Sequence, residues 1–178
     1  GDTAPTAEAA TSKAWDPASQ ATPVADVAGG GSFVAVTQEG EYSNYGSVFR
    51  SGDGSSWSEV TLPGKPVLRG PRVAHDGSRY LIVAEDQAWV SSDGQNWQAS
   101  PEFESACGGY YDIDILHAHP DGGFLAFDNR ASGLCRSSDG FTWETVDTSG
   151  YPDDARGIVA GSGDYYVVDK GGSFIQTT

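Results

Sequence analysis

The chain has 178 residues, and its 25 Asp and Glu against 10 Lys and Arg give a formal net charge of −15. Nucleic acid and anionic membrane surfaces are therefore disfavoured as direct partners, because both would repel it. Its 24 Gly, nine Pro, five Trp and eight Tyr describe an all-β chain of short strands and tight turns, and no apolar run reaches membrane-spanning length.

At this length one domain can bury roughly 70% of its unfolded surface and can build a core without metal. Residues 1–13 are small, polar and aperiodic, which reads as a solvated tether ahead of a folded domain over residues 14–178. The tether resembles the stretch behind a removed signal peptide, or behind the lipidated Cys of a bacterial lipoprotein. A secreted protein, or a periplasmic or outer-membrane-associated one, is the expectation, with any lipid anchor outside the given residues.

From Val24 onward four similar units follow. Each opens on a short strand ending in Ala: Asp26-Val27-Ala28, Arg72-Val73-Ala74, Leu116-His117-Ala118 and Ile158-Val159-Ala160. An aromatic-led apolar strand comes next, beginning at Phe33, Tyr80, Phe124 and Tyr165. Such unbroken apolar runs predict strands buried on both faces. A third strand carries Val48-Phe49-Arg50, Trp89-Val90, Leu134-Cys135-Arg136 and Phe174-Ile175-Gln176.

In the first three units that strand leads into a repeated corner: Ser51, Asp53, Gly54 and Trp57; Ser91, Asp93, Gly94 and Trp97; Ser137, Asp139, Gly140 and Trp143. The pattern Ser-x-Asp-Gly-x-x-Trp has a mechanical reading. Gly accepts the positive φ of a tight turn, the Ser and Asp oxygens accept backbone N–H groups, and the Trp returns to the sheet as an apolar anchor. Asp53, Asp93 and Asp139 recur at intervals of 40 and 46 residues, the size of a four-stranded propeller blade.

The motif resembles the Asp-box of sialidases and many other β-propellers, with one departure: no spacer separates Asp from Gly. In that family the box is a structural corner remote from any active site, so the resemblance implies fold and not catalysis. It implies a small β-propeller of four four-stranded blades. The fourth unit reaches Thr177-Thr178 where a corner should begin, and Trp15 precedes Trp57 by one repeat length. The expectation is that the strand around Trp15 completes the last blade and closes a monomeric ring, which would remove an open sheet edge. A paired eight-bladed ring and an open fragment are the alternatives.

Cys107 and Cys135 are expected to form a disulfide, consistent with an oxidising compartment. Charges at one mouth of the channel, Arg69, Arg72, Asp112, Asp114, His117 and Arg156, are expected chiefly to pair with one another. His117 and His119 share a strand face, but Asp112 and Asp114 are out of phase with them. His119-Pro120-Asp121-Gly122 also reads as an exposed turn, so no metal and no cofactor is assigned.

No nucleophile elbow, phosphate loop or dinucleotide fingerprint is present, and the chain is read as a non-enzyme. Tyr42 and Tyr45 in the longest insertion, with Trp89, Asn129 and Arg130 near corresponding positions and Arg72 from the channel mouth, form the predicted binding surface. The expected role is an accessory propeller that presents these loops to a protein partner, a larger envelope complex being one such setting. A lectin-like glycan binder is the second reading, and a sialidase-like glycoside hydrolase the third. The latter would need an arginine triad and a Tyr/Glu pair that no local motif supplies.

Overall fold

The computed structural model describes residues 23–38, 46–64, 68–107, 113–119, 121–128, 133–147, 155–160, 165–169 and 174–177. They form four antiparallel sheets. The first contains β1 (Val24–Gly29), β2 (Phe33–Thr37), β3 (Val48–Ser51) and β4 (Trp57–Val60). The second contains β5 (Arg72–His75), β6 (Tyr80–Ala84), β7 (Gln87–Ser91) and β8 (Gln98–Ala99), followed by a short helix α1 (Glu102–Cys107).

The third sheet is β9 (Ile115–Ala118), β10 (Phe124–Asp128), β11 (Gly133–Ser137) and β12 (Glu144–Val146). The fourth has three strands among the described residues, β13 (Ala155–Ala160), β14 (Tyr165–Asp169) and β15 (Phe174–Thr177). Every strand pairs with its neighbour in sequence, and the opening strands stand side by side, β1 against β5, β5 against β9, and β9 against β13. The tether and the expected strand at Trp15 lie outside the described residues, so the ring's closure is left to the sequence argument.

In the first three sheets the second strand is the core, as its apolar run predicts. All five residues of β6 are buried, and Val34, Val36, Leu125 and Phe127 are fully so. Alternate side chains go to opposite neighbours. Tyr80 and Ile82 pack with Val34 and Val36 of the first sheet, while Leu81 and Val83 pack with Phe124 and Ala126 of the third. The second sheet is thus sandwiched between the first and the third, which is why strict apolar–polar alternation is missing from β6.

The helix α1 departs from the all-β reading. Ser100-Pro101-Glu102 is a helix-start sequence, with Pro in the first turn and Glu102 and Glu104 at the positive end of the helix dipole. Phe103 is fully buried edge-on to Trp143, with ring centroids 5.0 Å apart. The helix carries Cys107 to β11, where it forms the expected disulfide with Cys135.

All three corners adopt one hydrogen-bonded form. The Ser Oγ accepts the Gly N–H at 2.8, 2.9 and 2.7 Å in turn, and the Asp Oδ1 accepts the N–H groups two and three residues on, each at 2.8 Å. The Trp Nε1 donates back to the Gly carbonyl at 3.2, 3.2 and 3.1 Å. The glycines have φ of 75°, 71° and 79°, as the turn requires.

What differs is what each corner rests on. The second corner is seated on the first sheet: Arg50 Nε donates to the Asp93 carbonyl at 2.8 Å, Ser32 Oγ donates to the same oxygen at 3.4 Å, and Trp97 is buried among Val34, Val36 and Val48. The third corner is seated on the second sheet. There Arg79 donates to the carbonyls of Asp139 at 3.1 Å and Ser138 at 2.8 Å, and Trp143 is buried. Asp76, on the turn before Arg79, also accepts the Gly123 N–H at 3.1 Å, binding second sheet to third. In the first corner, by contrast, residues 52–56 are exposed.

Two predictions follow from this difference and from the carboxylates. A Cβ at Gly94 would lie 2.8 Å from Val34 Cγ2 and one at Gly140 2.7 Å from Val90 Cγ2, whereas at Gly54 the nearest atom is Phe33 Cε2 at 3.6 Å. Gly54→Ala should therefore cost about 1 kcal/mol for its left-handed backbone alone, and Gly94→Ala and Gly140→Ala about 1–3 kcal/mol more through the clash. Equal losses in urea unfolding would refute the seating.

The Asp53 carboxyl is held well below its ordinary 3.8 by the Ser56 N–H first and then by Ser55, and Asp93 by the Asn96 backbone and side chain and then Gln95. At Asp139 burial pushes upward, but the N–H groups of Thr142 and Phe141, the Ser137 hydroxyl and the Arg79 charge outweigh it. Depressed folded-state values mean that this stabilisation is complete above the unfolded value and is lost as pH falls through and below about 4. Asp93→Asn should lower the unfolding midpoint at pH 7 yet flatten its decline between about pH 5 and pH 2. A variant with the wild-type acid slope would contradict the assignment.

Candidate functional site

The expected mouth of the channel is a region of internal pairing. Arg72 Nε donates to the Asp114 carbonyl at 3.4 Å and its Nη1 to the Pro71 carbonyl at 3.1 Å, while Asp26 Oδ2 accepts the Val73 N–H at 3.1 Å. Arg69 pairs with Glu85 at 3.6 Å. Arg156 falls on β13, and Asp112 lies outside the described residues. Arg72, predicted as a binding residue, is here a half-buried tie between the second and third sheets.

The predicted loop surface divides in two. Tyr42, Tyr45, Asn129 and Arg130 all lie outside the described residues. Trp89 requires a correction: its ring is 2% exposed, packed in the first core cluster, and its Nε1 donates to the Pro63 carbonyl at 3.2 Å. Its place at the centre of β7, on the face toward the first sheet, makes it a core anchor and not a contact for a partner.

The histidines are also more specific in place than their spacing suggests. His117 is on β9 opposite Leu125, and burial, with the neighbouring His119, pushes its imidazole below the ordinary value. His119 lies in the turn as expected, but its side chain is only 12% exposed, a correction to the exposed-loop reading. The cause is that its Nδ1 accepts the Asp121 N–H at 3.1 Å, which folds the ring back over the turn. Among the described residues no three His, Cys, Asp or Glu are grouped to hold a metal.

The candidate cavity is elsewhere, a partly open cleft of about 560 Å³ at the corner end of the third sheet. His119, Asp121 and Gly122 form one wall, Arg136 and Glu144 another, and Ser138 and Thr142 of the third corner the rim. Phe124 and Trp143 are its buried floor. Arg136 and Glu144 are cross-strand partners, and their side chains meet with Nε to Oε1 at 2.6 Å. Arg136 sits opposite Leu125, on the face away from Ala126 and Cys135, which pack toward the second sheet.

The cleft combines a guanidinium, two hydroxyls and two rim carboxylates over an apolar floor. It can donate to carbonyl oxygens and exclude water from a small apolar group. Sequence reading passed over it because Arg136 was taken only as part of a strand. The signal was there: Arg50 and Arg136 each immediately precede the Ser of a corner, and the first of them grips a neighbouring corner.

No family model and no curated protein matches the chain. Solved structures do. The chain is 18% identical to YCF48 bound to D1 peptide, with a TM-score of 0.64 over 88% of this chain and 49% of that one. It is 19% identical to YCF48 from Cyanidioschyzon merolae, with a TM-score of 0.54 over 85% of this chain and 52% of the other. Against virginiamycin B lyase from Staphylococcus aureus the identity is 11% and the TM-score 0.51, covering 82% of this chain and 52% of that one. The chain spans about half the length of these proteins, and the likeness, at such identities, shows a propeller-type fold.

Arg136 and Glu144 are 46% and 64% exposed, so their pair contributes little to stability. Replacing either by Ala should shift unfolding by no more than about 0.5 kcal/mol. A loss of several times that size would make the pair structural and remove it from the candidate site.

Proposed function

We propose that this chain is a non-enzymatic binding propeller, secreted or held at the cell envelope, that grips a protein partner at the corner end of its third sheet. The observation that carries the reading is the cleft itself: Arg136, Ser138 and Thr142 line it together with the buried Phe124 and Trp143, a mix of polar and apolar groups that suits a stretch of polypeptide. Rigid strands and a hydrogen-bonded corner hold these donors, so little entropy is lost on binding. That a YCF48 of this fold is described as bound to D1 peptide supports a peptide as the kind of ligand, while the chain's own partner is a separate question.

The test is site-specific photo-cross-linking in the cells that make the protein. A photoreactive residue at Thr142 should capture one protein in stoichiometric yield, and the same residue at exposed Ser55 should capture none. Excess wild-type chain should compete, and the Arg136→Ala/Glu144→Ala double variant should not. Equal capture at both positions, or competition by the double variant, would refute this site.

A further inference from the structure

A second concavity lies at the end of the sheets opposite the corners, between the first sheet and the second. It encloses about 250 Å³ and is framed by three segments: Pro63 after β4, Asp86 and Gln87 where β6 turns into β7, and Pro101 with Glu104 at the start of α1. Trp89 is its buried floor, with Nε1 bonded to the Pro63 carbonyl at 3.2 Å. The sheets on both sides of it are four-stranded and complete.

The lining is one-sided in charge. Among the described residues it contains two carboxylates, Asp86 and Glu104, and no Lys, Arg or His. Asp86 is half-buried and Glu104 exposed, and neither has a hydrogen-bond or ion-pair partner among the described residues. Glu85, next to Asp86, is by contrast engaged. Its carboxylate pairs with Arg69 at 3.6 Å, and its N–H donates to the Arg69 carbonyl at 3.2 Å. These ties accompany a backbone φ of 51° at Glu85, a left-handed conformation that residues with a Cβ seldom adopt. The turn is therefore fixed, with Asp86 in the pocket wall.

We propose that this pocket receives an arginine side chain from a protein partner. A half-buried carboxylate with no counter-ion gains strongly from a cation brought against it, and the net charge of −15 draws cations to the chain. A guanidinium suits the site better than an ammonium. It sheds water more readily, and its planar fork offers donors to more than one carboxylate. The aliphatic stem of the arginine packs on Pro63 and Pro101, and a pocket of this volume admits one side chain. The site is separate from the cleft of the third sheet, and the inference stands or falls without it.

The probe is acetyl-Gly-Arg-Gly-amide, titrated into the full chain at constant, low ionic strength while the Trp89 indole N–H resonance is followed by NMR. That proton lies on the floor and is bonded to the wall, so an occupant shifts it. The shift should saturate at millimolar peptide. The citrulline peptide, of the same shape but uncharged, should bind at least about tenfold more weakly, and Asp86→Asn/Glu104→Gln should weaken the arginine peptide as much. The double variant should keep the wild-type urea midpoint, because neither carboxylate has a partner to lose.

No shift at tens of millimolar peptide, equal binding of the citrulline peptide, tighter binding of a lysine peptide, or indifference to the double variant would overturn the inference. So would shifts of equal size at the Asp53 and Asp121 turns, the mark of a cation spread over an acidic surface. The Arg136→Ala/Glu144→Ala variant should bind the arginine peptide as the wild type does, so loss of the Thr142 cross-link removes the cleft reading and leaves this one intact.

Discussion

The structure depends on a seven-residue corner whose groups satisfy one another before anything else touches them. Ser and Asp consume four backbone N–H groups, the glycine supplies a left-handed turn, and the Trp indole returns to the glycine carbonyl. What remains unspent is a pair of outward carbonyls and a large apolar ring. Those are the features that the preceding sheet takes up through Arg50 or Arg79 and through its buried strand. A local motif thus becomes the tie between neighbouring sheets, with Asp76 adding a second tie beside the third corner.

This arrangement explains what could be read in advance. The corners, the four units, the doubly buried second strands and the Cys107–Cys135 pairing were legible because each rests on residues adjacent in sequence or on a pattern repeated along it. Trp89 was misjudged because a Trp on a strand between two sheets looks the same in sequence whether it faces a loop or a core. Its contact, Pro63, belongs to the segment after β4. The helix at Glu102 was passed over because six residues carry too little periodicity, although Ser-Pro-Glu marked its start. The cleft was illegible for another reason: its walls come from the β9–β10 turn, β11 and the corner, and only pairing register brings them together.

Under the protein-binding reading, the cleft beside the third corner is the recognition surface. Its donors are held by strands, its floor is the buried Phe124 and Trp143, and its rim pair, Arg136 and Glu144, is exposed enough to change without loss of the core. The corners act first as ties, since the second and third each hold two neighbouring sheets together.

Amide hydrogen exchange tests that claim most directly. The three corners have the same internal hydrogen bonds, so local geometry alone predicts equal protection. The account predicts that the amides of Gly54, Ser55 and Ser56 exchange much faster than those of Gly94, Gln95 and Asn96 or of Gly140, Phe141 and Thr142, because the second and third corners are seated on a neighbouring sheet. Equal protection at all three corners would mean that the motif is stable by itself, and would contradict the interlock.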